Sequence, residues 1–164
     1  MRSRTLPLAL AAAAAAVSLL PTAASAAPTT EHLSRSTYDS APEKTTSTWR
    51  IDGATRGELG GYLDMTVTAT SGSLPTTRGE CQPVSVDAVL TVEPGEVLTV
   101  AGAQGEACMH AFGDTTSVNA YFGKRQLSYE GTKRTRVRLV GDGMLSAGQL
   151  FTGSQASFNA SLRW

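Results

Sequence analysis

Cysteine, histidine and aromatic residues are scarce in this chain: two Cys, two His, and only four Phe, four Tyr and two Trp among 164 residues. Two cysteines cannot furnish a four-ligand zinc site. Cys81 and Cys108 also stand too far apart for a Cys-x-x-Cys redox pair, so no metal or cofactor is expected. The aromatics are too few for the two girdles of an outer-membrane barrel, and the apolar-alternating segments are mostly shorter than the roughly 9–11 residues such strands need. Neither sign of charge is in excess, with 14 Lys and Arg against 14 Asp and Glu, so overall charge points to neither nucleic acid nor an anionic membrane as partner. Gly-x-Ser-x-Gly, His-Glu-x-x-His and a glycine-rich phosphate loop before a helix are all missing. After the first 26 residues no stretch keeps three-four apolar spacing across three turns, which argues against a helical fold.

What the chain does have begins with a leader. Arg2 and Arg4 precede an uncharged, alanine-rich run from Leu6 to Leu20, followed by Pro21-Thr22-Ala23-Ala24-Ser25-Ala26. Ala24 and Ala26 are the small residues a signal peptidase takes at −3 and −1, so residues 1–26 read as a secretory signal peptide cleaved after Ala26. The run is too short for a membrane span of roughly 20 residues. Ser3 separates the arginines, which favours the general secretory route over the twin-arginine one. No cysteine waits at the cleavage site for a lipid and no apolar stretch near Trp164 offers an anchor, so the expected product is secreted and extracellular. Without Arg2 and Arg4, 12 basic residues face 14 acidic ones, and the excess is uneven: residues 27–123 hold 12 acidic and 5 basic, residues 124–164 hold 2 and 7.

Residues 27–46 are rich in Thr, Ser, Ala and Pro, with Leu33 and Tyr38 the only sizeable apolar groups. That composition reads as a flexible tail, and His32 within it as a solvated residue. From Trp49 onward a period of two dominates. Leu63, Met65, Val67 and Ala69 fall on one face of their segment. So do Val84, Val86, Ala88, Leu90 and Val92, and again Ala156, Phe158, Ala160, Leu162 and Trp164. "TWRID", "EVLTVA", "SVNAYF", "QLSYEG", "TRVRLV" and "MLSAGQLF" are further strand candidates, divided by clusters such as "TSGSLPTTRG", "AGAQGE" and "VGDGM", the "GDG" of the last reading as a tight turn. Many short strands make an all-β domain over residues 47–164. The expected form is an antiparallel β-sandwich, Greek-key or jelly-roll-like, with a small closed β-barrel as the alternative.

In an exported chain two cysteines make one disulfide, Cys81–Cys108. Pro94-Gly95 lies midway between them. A two-residue hairpin there would set the cysteines face to face, with Val92 opposite Val97 and Val89 opposite Val100. Pro-Gly favours a type II turn, whose twist suits hairpins poorly, and Pro83 and Gly102 to Gly105 would interrupt so long a ladder. An arch carrying the chain between two sheets is therefore equally open.

Three surface features carry candidate chemistry. Lys124, Arg125, Arg134, Arg136 and Arg138 make a basic stripe for an anionic envelope polymer, to which guanidinium groups donate bidentately; the plainer reading is solvation, with Asp87, Glu93 or Glu96 as neighbouring-strand partners. Tyr62, Tyr121 and Tyr129 are candidate sugar-stacking rings. His110 is the one histidine past the tail, and a small secreted hydrolase assembled around it is the rival function. The leading expectation is a non-catalytic extracellular binding or interaction module for an anionic or carbohydrate envelope polymer, or for a protein, with no catalytic residue assigned.

Overall fold

The computed structural model describes residues 29–57, 60–93, 95–131 and 139–163, and it is all-β. Ten strands follow in order: β1 (Thr30–Asp39), β2 (Glu43–Lys44), β3 (Thr48–Arg56), β4 (Tyr62–Ala69), β5 (Cys81–Glu93), β6 (Glu96–Met109), β7 (Thr116–Phe122), β8 (Leu127–Glu130), β9 (Val140–Leu150) and β10 (Gly153–Arg163). Every pairing is antiparallel, and sheet neighbours are chain neighbours from β3 through β7 to β9 and β10. β8 continues the course of β7 along β6 after a short turn, so the two fill one place in the sheet.

The sheet then closes on itself. β1 pairs with β10 along its whole length, from Thr30–Arg163 to Asp39–Ser154, and with β3 at Ser36–Arg56 and Thr37–Thr55. The result is an eight-stranded up-and-down barrel, with the small strand β2 laid on the upper part of β3. The sandwich is therefore replaced by the closed-barrel alternative. A sandwich needs two sheets with separate edges, whereas here the first strand joins the last and an even strand number keeps every pair antiparallel.

The closing strand comes from the segment read as a tail. Its inward positions are Leu33, Arg35 and Thr37, of which only Leu33 is apolar, so its alternation is nearly silent in composition. Ladder hydrogen bonds hold it instead, with the buried Thr37 hydroxyl donating to the Ala54 carbonyl at 3.1 Å. The domain therefore begins by Thr30, not at residue 47. The leader, Trp164 and the segment carrying Arg134, Arg136 and Arg138 lie outside the described residues.

The period-two faces named from sequence are the barrel's interior. Ile51, Leu63, Met65, Val67, Val84, Val86, Leu90, Leu98, Leu145, Phe158 and Leu162 are fully buried, and Phe122 and Phe158 meet with ring centroids 5.6 Å apart. Eight strands leave an interior that side chains fill. The upper end is covered by Leu74 from the β4–β5 loop and by Lys44, whose ammonium sits 4.9 Å above the ring of buried Trp49 and reaches Thr116 Oγ1 at 3.1 Å. Burial lowers the Lys44 pKa from its ordinary value. Apolar inside and polar outside is the reverse of a lipid-exposed barrel. Among the described residues no helix is long and apolar enough to cross a membrane.

Cys81 and Cys108 are bonded and stand directly opposite in a β5–β6 hairpin. The hairpin thus prevails over the arch. The register that faces the cysteines holds from Cys81 to Val86, slips by one residue at a bulge opposite Asp87, and returns at Glu93–Glu96. Within the slipped stretch Val89 meets Thr99 and Thr91 meets Val97, one place away from the expected pairs. Gly102, at φ +67°, takes up the bulge, and its N–H donates to Asp87 Oδ1 at 2.8 Å. Pro83 is tolerated because its carbonyl already accepts from Thr70 N beyond the end of β4, so its missing N–H falls where no strand needs it. The "GDG" at Gly141 to Gly143 is also corrected, from a turn to the opening residues of β9. A Cβ on Gly143 would meet the Asn159 carbonyl and, at 2.8 Å, both Ala160 Cα and Phe122 Cζ. The glycines are there because β9 and β10 approach closely around large inward side chains.

Candidate functional site

With the interior filled, a ligand must bind outside. On β1, β10, β9 and β7 the outward positions line up as rungs across the four strands. The first holds Thr30, Arg163 and Val140; the second His32, Ser161 and Asp142; the third Ser34, Asn159, Met144 and Tyr121; the fourth Ser36, Ser157, Ser146 and Asn119. Most of these side chains are hydroxyls or amides, whereas a soluble surface is ordinarily about a quarter to a third charged.

An open groove of about 590 Å³ runs across the second and third rungs, lined among others by His32, Ser34, Tyr121, Asp142, Met144 and Asn159. Its polar groups are ordered by one another: Ser34 Oγ donates to Asn159 Oδ1 at 2.7 Å, and Ser161 Oγ lies 3.0 Å from His32 Nδ1. Tyr121 is 68% exposed at one edge, its ring free to be covered. A smaller hollow of about 220 Å³ continues toward the first rung, sharing Asp142 and Ser161 and adding Lys124 and Arg163. The groove thus runs from a hydroxyl and amide floor with an aromatic edge, past the Asp142 carboxylate, to Lys124 and Arg163.

The His32–Ser161–Asp142 row has the composition of a catalytic triad without its order. A triad needs the imidazole between carboxylate and hydroxyl, and here the serine occupies the middle strand. What the row presents is a hydrogen-bonding surface. His32 is accordingly an exposed groove residue on β1, and not part of a loose tail.

The remaining sequence candidates scatter. Neither a known family, nor a curated protein, nor a solved structure matches this chain. Function must therefore be argued from the side chains themselves. Of the three tyrosines only Tyr121 borders the groove. Tyr62 lies on β4, separated from β7 by β5 and β6, and its hydroxyl donates to Asp52, which with nearby burial raises its pKa. It belongs to a surface network in which Arg50 forks onto Asp64 at 2.9 and 3.1 Å and lies 3.9 Å from Asp52. Tyr129 packs against the core, with its hydroxyl donating to Glu96 Oε1 at 3.2 Å, so its ring is partly covered.

Lys124 and Arg125 are exposed on the turn between β7 and β8, and of the two Lys124 reaches the groove's cationic end. Of the acids suggested as partners of the arginines, Glu96 is turned inward and buried beside the Tyr129 hydroxyl, and Asp87 accepts from the Gly102 N–H. His110 is exposed just past β6, where its backbone N–H donates to the Thr115 carbonyl. Its imidazole makes no hydrogen bond to a serine or carboxylate among the described residues. Arg163 and Asn159 were not singled out from sequence, and His32 was placed in the tail. Only their outward parity could have marked them, and finding their neighbours needed the register.

Proposed function

We propose that this protein is a non-catalytic extracellular module that binds a cell-envelope saccharide through the outer face of β1, β10, β9 and β7. The observation that carries this reading is the third rung, where Ser34, Asn159 and Met144 lead to the exposed ring of Tyr121 within one groove. A sugar offers an apolar ring face and a rim of hydroxyls. An aromatic edge beside preordered hydroxyl and amide groups complements both. Lys124 and Arg163 outnumber Asp142 at the groove's end, which leaves one net positive charge for an acidic substituent, in keeping with an anionic envelope polymer. The leader supports export, and the disulfide fits an oxidising compartment.

The test is retention of the purified protein on envelope polysaccharide fractions at low and high salt. The expected result is retention that survives high salt and weakens roughly tenfold with Tyr121→Ala, the loss of one stacked ring. Absence of retention on every fraction, or full retention by Tyr121→Ala, overturns the site. Binding that vanishes at high salt but ignores Tyr121→Ala would shift it to Lys124 and Arg163.

A further inference from the structure

Two phenylalanines stand fully in solvent at one end of the barrel. Phe112 is 96% exposed in the β6–β7 loop, Phe151 is 110% exposed in the β9–β10 turn, and Leu150 beside it is 46% exposed. β7 and β9 are neighbours, and the rung Ser117–Gly148 is their last shared pair before both tips, so the two tips leave the same end of the barrel from adjacent strands. The tips are held from below. His110 N–H donates to the Thr115 carbonyl across the neck of the first, Gly113 at φ +101° turns it, and in the second the Tyr38 hydroxyl lies 2.5 Å from Thr152 Oγ1. Lys44 reaches Thr116 and Gln149, at the bases of both. The rings are therefore built to protrude.

We propose that Phe112, Phe151 and Leu150 form a wedge that seats in the interfacial region of a lipid bilayer. The tip sequences Ala111-Phe112-Gly113 and Leu150-Phe151-Thr152 carry no charge, and Asp114 beside the first is paired with Arg78 at 3.1 Å. Two convex points cannot supply the roughly 1,200–2,000 Å² of a stable protein interface, and a protein partner would need a pocket for each. Acyl chains yield around an inserted ring without any matching shape, and a tyrosine hydroxyl just behind the tips suits the headgroup level. So small an apolar area gives weak, reversible attachment of a surface protein.

The experiment is flotation of the purified protein with vesicles of phosphatidylcholine alone and of phosphatidylcholine with phosphatidylglycerol, beside a Phe112→Ser/Phe151→Ser variant. Because both rings are exposed, the variant keeps the wild-type circular dichroism and unfolding midpoint. The expected result is flotation with both compositions at low and high salt, reduced roughly tenfold or more in the variant, and unchanged in Tyr121→Ala. No flotation by wild type, or equal flotation by the variant, overturns the proposal. So does sedimentation velocity showing a dimer that the variant loses, which would assign the tips to a second copy.

Discussion

β9 offers a matched pair of substitutions whose outcomes should differ in sign. Gly143 faces inward, and a methyl there would press on the Asn159 carbonyl, Ala160 Cα and the edge of the Phe122 ring. Two of these three contacts are backbone and cannot swing aside, so overpacking of roughly 1–3 kcal/mol applies. Against it stands the gain of about 0.4–1 kcal/mol from restricting the unfolded chain, leaving Gly143→Ala less stable by roughly 1–2 kcal/mol. Gly148 lies on the same strand with nothing within 4 Å of a new methyl and no positive φ. Gly148→Ala should keep the whole entropic gain. Urea unfolding of wild type and both variants, followed by tryptophan fluorescence and fitted with a common slope, reads the difference directly. Gly143→Ala proving as stable as Gly148→Ala would refute the close approach of β9 to β10, and with it the tight packing of that side of the barrel.

Replacing Cys81 and Cys108 by serine removes a link across 27 positions, which the chain-entropy argument values at about 3.5 kcal/mol; a loss under about 1 kcal/mol in the same urea assay would show that the hairpin holds its register without the bond. The Lys44 ammonium titrates at a lower pH in the folded chain than in the unfolded one, because burial disfavours its charge. Between that lowered pKa and 10.5 the unfolded chain binds more protons, so stability rises with pH. The contribution is complete above 10.5 and declines as pH falls toward the folded value. Wild type should therefore gain on Lys44→Met as alkaline pH rises, and parallel profiles of unfolding midpoint against pH would contradict this.

The barrel's interior was legible because burial on one face leaves a two-residue rhythm that composition preserves, as in Val84 to Val92 and Ala156 to Leu162. Closure was not, since the strand that completes the ring turns Arg35 and Thr37 inward and draws its stability from partners far along the chain. The bulge at Asp87 was hidden for a related reason: a single side-chain acceptor for Gly102 N–H shifts the register locally, and no periodicity records it. Tyr121 could be named as a candidate ring from its type alone. Its neighbours His32, Ser34 and Asn159 could not, because they meet it only across β10 and β9, through pairings that join the chain's early and late strands.

That same join between β1 and β10 bears on how the molecule is made. Strands β3 to β9 can zip up successively, each against a partner already formed, but β1, which meets β3 at only two residue pairs, finds the rest of its ladder more than a hundred positions downstream. Until β10 arrives, two long strand edges stand bare, which slows folding and exposes the intermediate to self-association. A chain cut short before Gly153 would therefore be left with an open ribbon, so the final strand acts as the latch that leaves the finished sheet without a long bare edge.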